Sequence, residues 1–476
     1  MTTFQYQDGP AGSGKTYGIS KWTVERVRAE EKVLIAQPSK DLIRETVRNI
    51  KQMDPNIKIR TIVSSSNRKN VVDSIVAHMQ AAVPHHGEVL LITHKALDRL
   101  PKAYRKFWHL VCDEIPSVFN SIELKIPITH RGITDHIKVD NVLVDGISLV
   151  EPRNKTALED LASGRHGDQN LESFKDLANL VLRDDVLVVT NPEHYADLID
   201  PSTKRASINF FGIKKEDFAK GWKTTTFLGA NFFQTELYHV WSRLFKVSWQ
   251  PHGELASTLR YTEHHNGERL KLTYLFERKA SKQFYRIEED DGTEMFDAVW
   301  NTVVGHLNGK PFIWQVPADR YPENFSPINR LPGISHGLDK ANWKTVDNVV
   351  LLSVRNQGTP AWGFLKNIGM SDNEIAETLN HQNAYQAMMR CSLRDPLVDR
   401  PVEAIVPDRA TAEWLAEKFE GCTIEKMKHS LPEPSKSGRP SIGKAPMSQK
   451  ERNARNYAKR KAEKLGLVDK GYPQFD

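Results

Sequence analysis

Asp8-Gly9-Pro10-Ala11-Gly12-Ser13-Gly14-Lys15-Thr16 fits the pattern G-x-x-x-x-G-K-[ST] at every fixed position. Thr3 to Gln7 ahead of it reads as a short strand, and Ile19, Trp22 and Val27 behind it fall at helical spacing. Strand, glycine loop and helix therefore arrive in the order of a phosphate-binding loop. Gly9, Gly12 and Gly14 let the backbone turn so that several N–H groups and the helix N-terminus converge on an anion. Pro10, Ala11 and Ser13 complete the loop. Lys15 is expected on the β- and γ-phosphates, and the Thr16 hydroxyl on Mg²⁺. The expected ligand is a nucleoside triphosphate with Mg²⁺.

The second chemical landmark is Asp113-Glu114, directly after the apolar run Phe107 to Cys112. A carboxylate pair at a strand end downstream of a phosphate loop suits Asp113 as the Mg²⁺ partner and Glu114 as the group that polarises attacking water. Between the landmarks, Lys32 to Gln37, Ile57 to Val63 and Val89 to Ile92 read as further strands. The segment after Ser39 reads as a helix burying Leu42, Ile43, Thr46, Val47 and Ile50. Alternating β and α elements imply a parallel sheet with its ligand at the strands' C-terminal ends.

At 476 residues the chain exceeds one ordinary core, so two or three domains are expected. With 39% hydrophobic and 26% charged residues and no long apolar run, it has the composition of a soluble globular protein with no membrane partner. No secretory leader is legible, which makes the expected location cytoplasmic. Cys112, Cys391 and Cys422 show neither a disulfide framework nor a zinc spacing. The pairs His85-His86 and His264-His265 read as surface residues of polar loops rather than metal ligands.

Asp185 to Thr190 and Thr224 to Ala230 read as the next strands of the first sheet, after an insertion at about 122–184 that is helical from Leu158 to Leu182. A second α/β unit follows, with strands at Leu270 to Phe276, Pro311 to Pro317, Val346 to Ser353 and Val402 to Pro407. It has no phosphate loop. Gln386, Arg390 and Arg394 are four apart, so on one helix they share a face and can reach phosphates across a cleft. The reading is α/β, with two parallel-sheet domains in tandem, a helical insertion in the first and a basic flexible C-terminal tail. The boundaries are 1–245, a linker 246–268, 269–425 and the tail 426–476. Although the net charge is only +6, the tail is strongly basic, which points to a polyanionic partner. Arg439 in Gly438-Arg439-Pro440 suits a minor groove, and Arg452 and Arg455 belong to a basic helix suited to nucleic acid or another protein.

Jointly these residues resemble the superfamily 2 helicases of the DExx-box type, whose fold is two RecA-like domains. Gly9 to Thr16 is similar to motif I and Asp113-Glu114 to motif II. Gln37-Pro38-Ser39-Lys40 and Thr93-His94-Lys95 resemble motifs Ia and Ib, which implies that Pro38, Ser39, Lys40, Thr93, His94 and Lys95 hold a nucleic-acid backbone. Gly229-Ala230-Asn231 resembles motif III. Ser335 to Asp339 resembles motif V, placing Gly337 and Asp339 at the nucleotide, and Gln386 with Arg390 and Arg394 resembles motif VI, the source of an arginine finger. The sequence departs from the family in setting those arginines four apart rather than three, in the long spacing from Asp113 to Gly229, and in having no adenine-reading motif ahead of Gly9. The compact chain with its basic tail resembles replication helicases of phages or mobile elements.

The expectation is an ATP-driven motor on single-stranded DNA or RNA, or on duplex, with ATP between two domains. A viral packaging ATPase and a non-motor ATP-dependent switch whose tail binds nucleic acid are the alternatives.

Overall fold

The structure is a computed structural model describing residues 2–435 apart from 65–69, 126–128, 166–168, 201, 204–206, 289–291, 321, 323–326, 333–341 and 356–357. Five strands come first: β1 (Thr3–Asp8), β2 (Lys32–Gln37), β3 (Ile59–Thr61), β4 (Glu88–Thr93) and β5 (Trp108–Asp113). β2, β4 and β5 are apolar runs without alternation because both sheet faces are covered there. Leu34, Ala36, Leu90, Ile92, Leu110 and Cys112 pack into one core, while Val33, Ile35, Val89, Leu91 and Val111 pack into another.

The chain then leaves this sheet. β6 (Phe119–Leu124), β7 (Ile137–Lys138), β8 (Val142–Val144), β9 (Ile147–Leu149), β10 (Glu151–Pro152), β11 (Val186–Thr190) and β12 (Ile208–Lys214) form the insertion. Five of them make an antiparallel sheet ordered β6-β12-β11-β9-β8. The helices Lys155–Ser163 and Lys175–Val181 stand where the periodicity places them and cover that sheet through Leu158, Leu161, Leu177 and Val181. Two expectations change. The insertion has its own sheet, and Val186–Thr190 belongs to it rather than to the first parallel sheet. A five-residue apolar run carries no mark of parallel or antiparallel pairing, so periodicity could not assign it. At the root of the insertion, the half-buried Glu236 carboxylate accepts from Val118 N (3.2 Å) and Phe119 N (3.0 Å), and desolvation pushes its pKa up to about 7.

β13 (Thr224–Gly229) and β14 (Ser248–Pro251) return to the first sheet, which has seven strands in the order β14-β1-β13-β5-β2-β4-β3, all parallel. Ser248–Pro251, within the stretch read as linker, is thus an edge strand; only four residues long, it has no periodicity to betray it. The second lobe holds β15 (Leu270–Phe276), β16 (Ile313–Gln315), β17 (Asn348–Leu351), β18 (Val402–Asp408) and β19 (Thr423–Lys426), parallel in the order β16-β17-β18-β15-β19. Two tandem parallel sheets with helices on both faces confirm the α/β class.

Candidate active site

The loop after β1 turns through the left-handed region at Gly12 (φ 88°) and Gly14 (φ 89°). A Cβ on Gly12 would also lie 2.7 Å from the Tyr261 hydroxyl. The helix Lys15–Arg28 starts there with no side-chain cap, which leaves its N-terminal end open to an anion. Lys15 Nζ donates to the carbonyls of Gly9 (2.7 Å) and Pro10 (2.8 Å). Burial lowers its pKa to about 8, against the pull of Glu114, Asp8 and Asp113. Asp8 anchors the loop's start by accepting from Gly9 N (2.8 Å) and from Phe232 N (3.1 Å).

Asp113 ends β5 and faces the loop, because β13 alone separates β5 from β1. Its Oδ2 accepts from Thr16 Oγ1 (3.2 Å) and from Gln37 Nε2 (2.7 Å). Burial and the neighbouring Glu114 push its pKa up to about 6, although Gln37, Thr16 and Lys15 favour the anion. Glu114 sits at φ 70°, a conformation rare for a residue with a Cβ and characteristic of functional sites.

The second lobe brings the expected arginines to the same place, by a different local structure. The helix Gln382–Met388 ends before Arg390, and Arg394 lies on the separate 3₁₀ turn Ser392–Arg394. The shared helix face is therefore corrected: Cys391 leaves helical geometry and caps the turn, with its Sγ accepting from Leu393 N. Arg390 is buried and braced on its own helix, Nε donating to Gln386 O (3.2 Å). All three side chains still line one cavity of about 470 Å³ with Gly12, Gly14, Lys15, Thr16, Asp113 and Glu114.

Sequence reasoning missed the contacts that join the lobes. The Tyr385 hydroxyl accepts from Ala11 N (2.8 Å) and pairs with His264 Nε2 (2.8 Å). Tyr261 O–H donates to Ala11 O (3.1 Å), so both backbone groups of Ala11 are held by tyrosines. His264 is buried against Phe419 and its pKa falls to about 4, which corrects the surface reading of that histidine. A buried ring on a polar stretch leaves no periodic trace. Asn231 and Gln382 exchange two hydrogen bonds (3.2 and 3.1 Å) between the end of β13 and the second lobe. Gln37, grouped by sequence with the strand-end motif, belongs to the Asp113 network instead. Tyr385 directly precedes Gln386 in the chain, but nothing in its spacing tells where its hydroxyl points.

Of the residues expected on nucleic acid, Ser39 caps the helix Lys40–Met53 by accepting from Leu42 N (3.2 Å), with Pro38 and Lys40 exposed beside it. His94 Nε2 lies 3.1 Å from Ala36 O, and burial takes its pKa to about 4, so the ring is neutral; Thr93 is partly buried and Lys95 exposed. Gly337, Asp339, Arg439, Arg452 and Arg455 lie outside the described residues.

The donor set suits Mg²⁺. A hydroxyl and a carboxylate 3.2 Å apart are hard oxygen ligands of the kind this ion takes when phosphate and water complete its octahedron. Ser13 Oγ, buried in the cradle without a partner, is a further polar atom aimed at no protein group. Among the described residues no cluster of three or more His, Cys, Asp or Glu exists to hold a metal by protein alone, and no helix is long and apolar enough to cross a membrane.

Residues 6–126, in the first lobe, match the DEAD/DEAH box helicase family model. No curated protein sequence matches the chain. Among solved structures it is similar to an XPD helicase (TM-score 0.45, 10% identity, covering 89% of this chain and 96% of that one). It is also similar to Saccharomyces cerevisiae Dbp5 bound to RNA and ADP BeF3 (TM-score 0.38, 11% identity, 90% and 85% covered). A third is the DEAD-box helicase Mss116 bound to ssRNA and UDP-BeF (TM-score 0.33, 10% identity, 90% and 72% covered).

Proposed function

We propose that the protein is an ATP-dependent nucleic-acid helicase or translocase that hydrolyses ATP between its two lobes. One observation carries this reading: the phosphate loop and carboxylates of the first lobe and the arginines of the second line a single cavity. Lys15 and the amides of the loop bind the phosphate chain. Mg²⁺, held by Thr16 and Asp113, would screen charge on the phosphates. Glu114 orients the water that attacks the terminal phosphorus and takes up its proton. Arg390 and Arg394 offset the charge that develops on the transferring phosphoryl group, so turnover depends on the second lobe standing across the cavity. The Asn231–Gln382 pair links the first lobe's strand end to the helix that leads into Arg390, a direct path from nucleotide state to lobe position.

DNA rather than RNA as the polymer, and a part in replication, are the finer reading and rest on the resemblance alone; the basic composition of the tail suits either polymer. ATPase rates measured without polymer and with single-stranded DNA, single-stranded RNA and duplex test both levels. Stimulation by a polymer is expected and its identity sets the substrate; a rate indifferent to all three favours the non-motor switch.

A further inference from the structure

We propose that Tyr17 and Leu397 form the nucleobase seat of the cavity and that it holds the base by stacking. The inference rests on the reading of the cavity as a nucleotide site and deepens it. Tyr17 follows Thr16 in the first turn of the helix Lys15–Arg28 and is 49% exposed; Leu397, from the second lobe, is 92% exposed. Singly, an exposed apolar side chain means little. Here both line the cavity that holds Lys15 and Thr16, whose other walls are mostly charged or polar.

Leu397 is held outward by its backbone. Leu397 N donates to Asp395 Oδ1 (3.0 Å) and Val398 N to Asp395 O (3.3 Å), a turn that starts directly after Arg394. The residue that presents the leucine is thus adjacent to an arginine on the phosphate side, just as Tyr17 is adjacent to Thr16. In each lobe, one step along the chain or a short turn leads from a group for the phosphates to an apolar surface. A nucleotide with its phosphates at Lys15 has one flat apolar part left to bury, the base. An aromatic ring from the first lobe and a branched aliphatic from the second suit it, and every base offers a π-face to such a site. Glu45 and Asn49, four apart on the helix Lys40–Met53, line the same cavity and are the polar groups available at the base edge. The ligand class is a nucleotide held with modest discrimination between bases.

Calorimetric titration of the full chain with ADP, GDP and pyrophosphate in Mg²⁺ tests this without turnover. Tyr17→Ala is expected to weaken ADP and GDP about tenfold, Leu397→Ala by less, and Tyr17→Phe hardly at all, with pyrophosphate binding unchanged in all three. Unchanged ADP affinity in Tyr17→Ala, or equal weakening of ADP and pyrophosphate, overturns the seat while leaving the phosphate site standing. A wild-type chain that binds neither ADP nor pyrophosphate overturns the nucleotide reading, and the seat with it.

Discussion

On the first-lobe wall of the cavity the functional groups are already engaged with one another, Lys15 on two loop carbonyls and Asp113 on Thr16 and Gln37. On the second-lobe wall Arg390 leans on its own helix and Arg394 rides a three-residue turn. One wall is a finished binding surface whose shape depends on residues of the same sheet; the other acts only from across the gap. Substitutions in the first should therefore remove binding and chemistry together, and substitutions in the second should remove chemistry while leaving nucleotide bound.

The largest break is Lys15→Ala, expected to lower ATP turnover at least about a thousandfold while leaving nucleic-acid binding in place, read by phosphate release and by a filter-binding assay. Arg390→Ala and Arg394→Ala should separate, one losing about a thousandfold in kcat and the other chiefly the coupling of hydrolysis to strand movement, with nucleotide affinity kept in both. If neither slows hydrolysis, the second wall is not catalytic. The profile of kcat/KM against pH sharpens the first wall. Asp113 must be ionised and titrates at about 6, so activity falls below that pH; Lys15 must be charged and titrates at about 8, so activity falls above it. About tenfold per pH unit is expected beyond each limb. Because burial raises the Asp113 pKa, its ionised form costs stability that is absent at low pH and grows as pH rises past its unfolded value. Asp113→Asn should accordingly raise stability at neutral pH, by up to about 3 kcal/mol in denaturant unfolding, while turnover is lost. Tyr385→Phe leaves the buried Ala11 amide without its acceptor and should cost about 1–3 kcal/mol of the same stability.

The first wall was legible in sequence because it is local: a loop of nine consecutive residues and a carboxylate pair directly after an apolar strand. The parallel sheets were legible for a related reason, since strands covered on both faces stay apolar without alternation. Arg390 and Arg394 were found by residue type, but the helix expected to carry them stops at Met388, and only the backbone turn at Cys391 explains how both still reach the cavity. The antiparallel insertion was missed where pairing direction leaves no imprint, as at Val186–Thr190. Tyr385, His264 and Tyr261 were missed because their meeting at Ala11 joins residues more than two hundred positions from the loop.

The insertion also touches the second lobe. Phe364, on the helix Thr359–Asn367, stacks on Phe119 (5.3 Å) and Phe211 (5.0 Å); beside it Arg243, from the first lobe's own helix Glu236–Leu244, donates from Nη2 to both Glu374 carboxylate oxygens (2.8 and 2.9 Å). A partly buried ion pair beside packed rings resists separation more than an exposed one does. Any swing that drew Arg390 away from Lys15 while this clasp stayed shut would have to pivot on it, with the seam at Phe364 and Glu374 as the axle and the span from that seam to Arg394 as the lever.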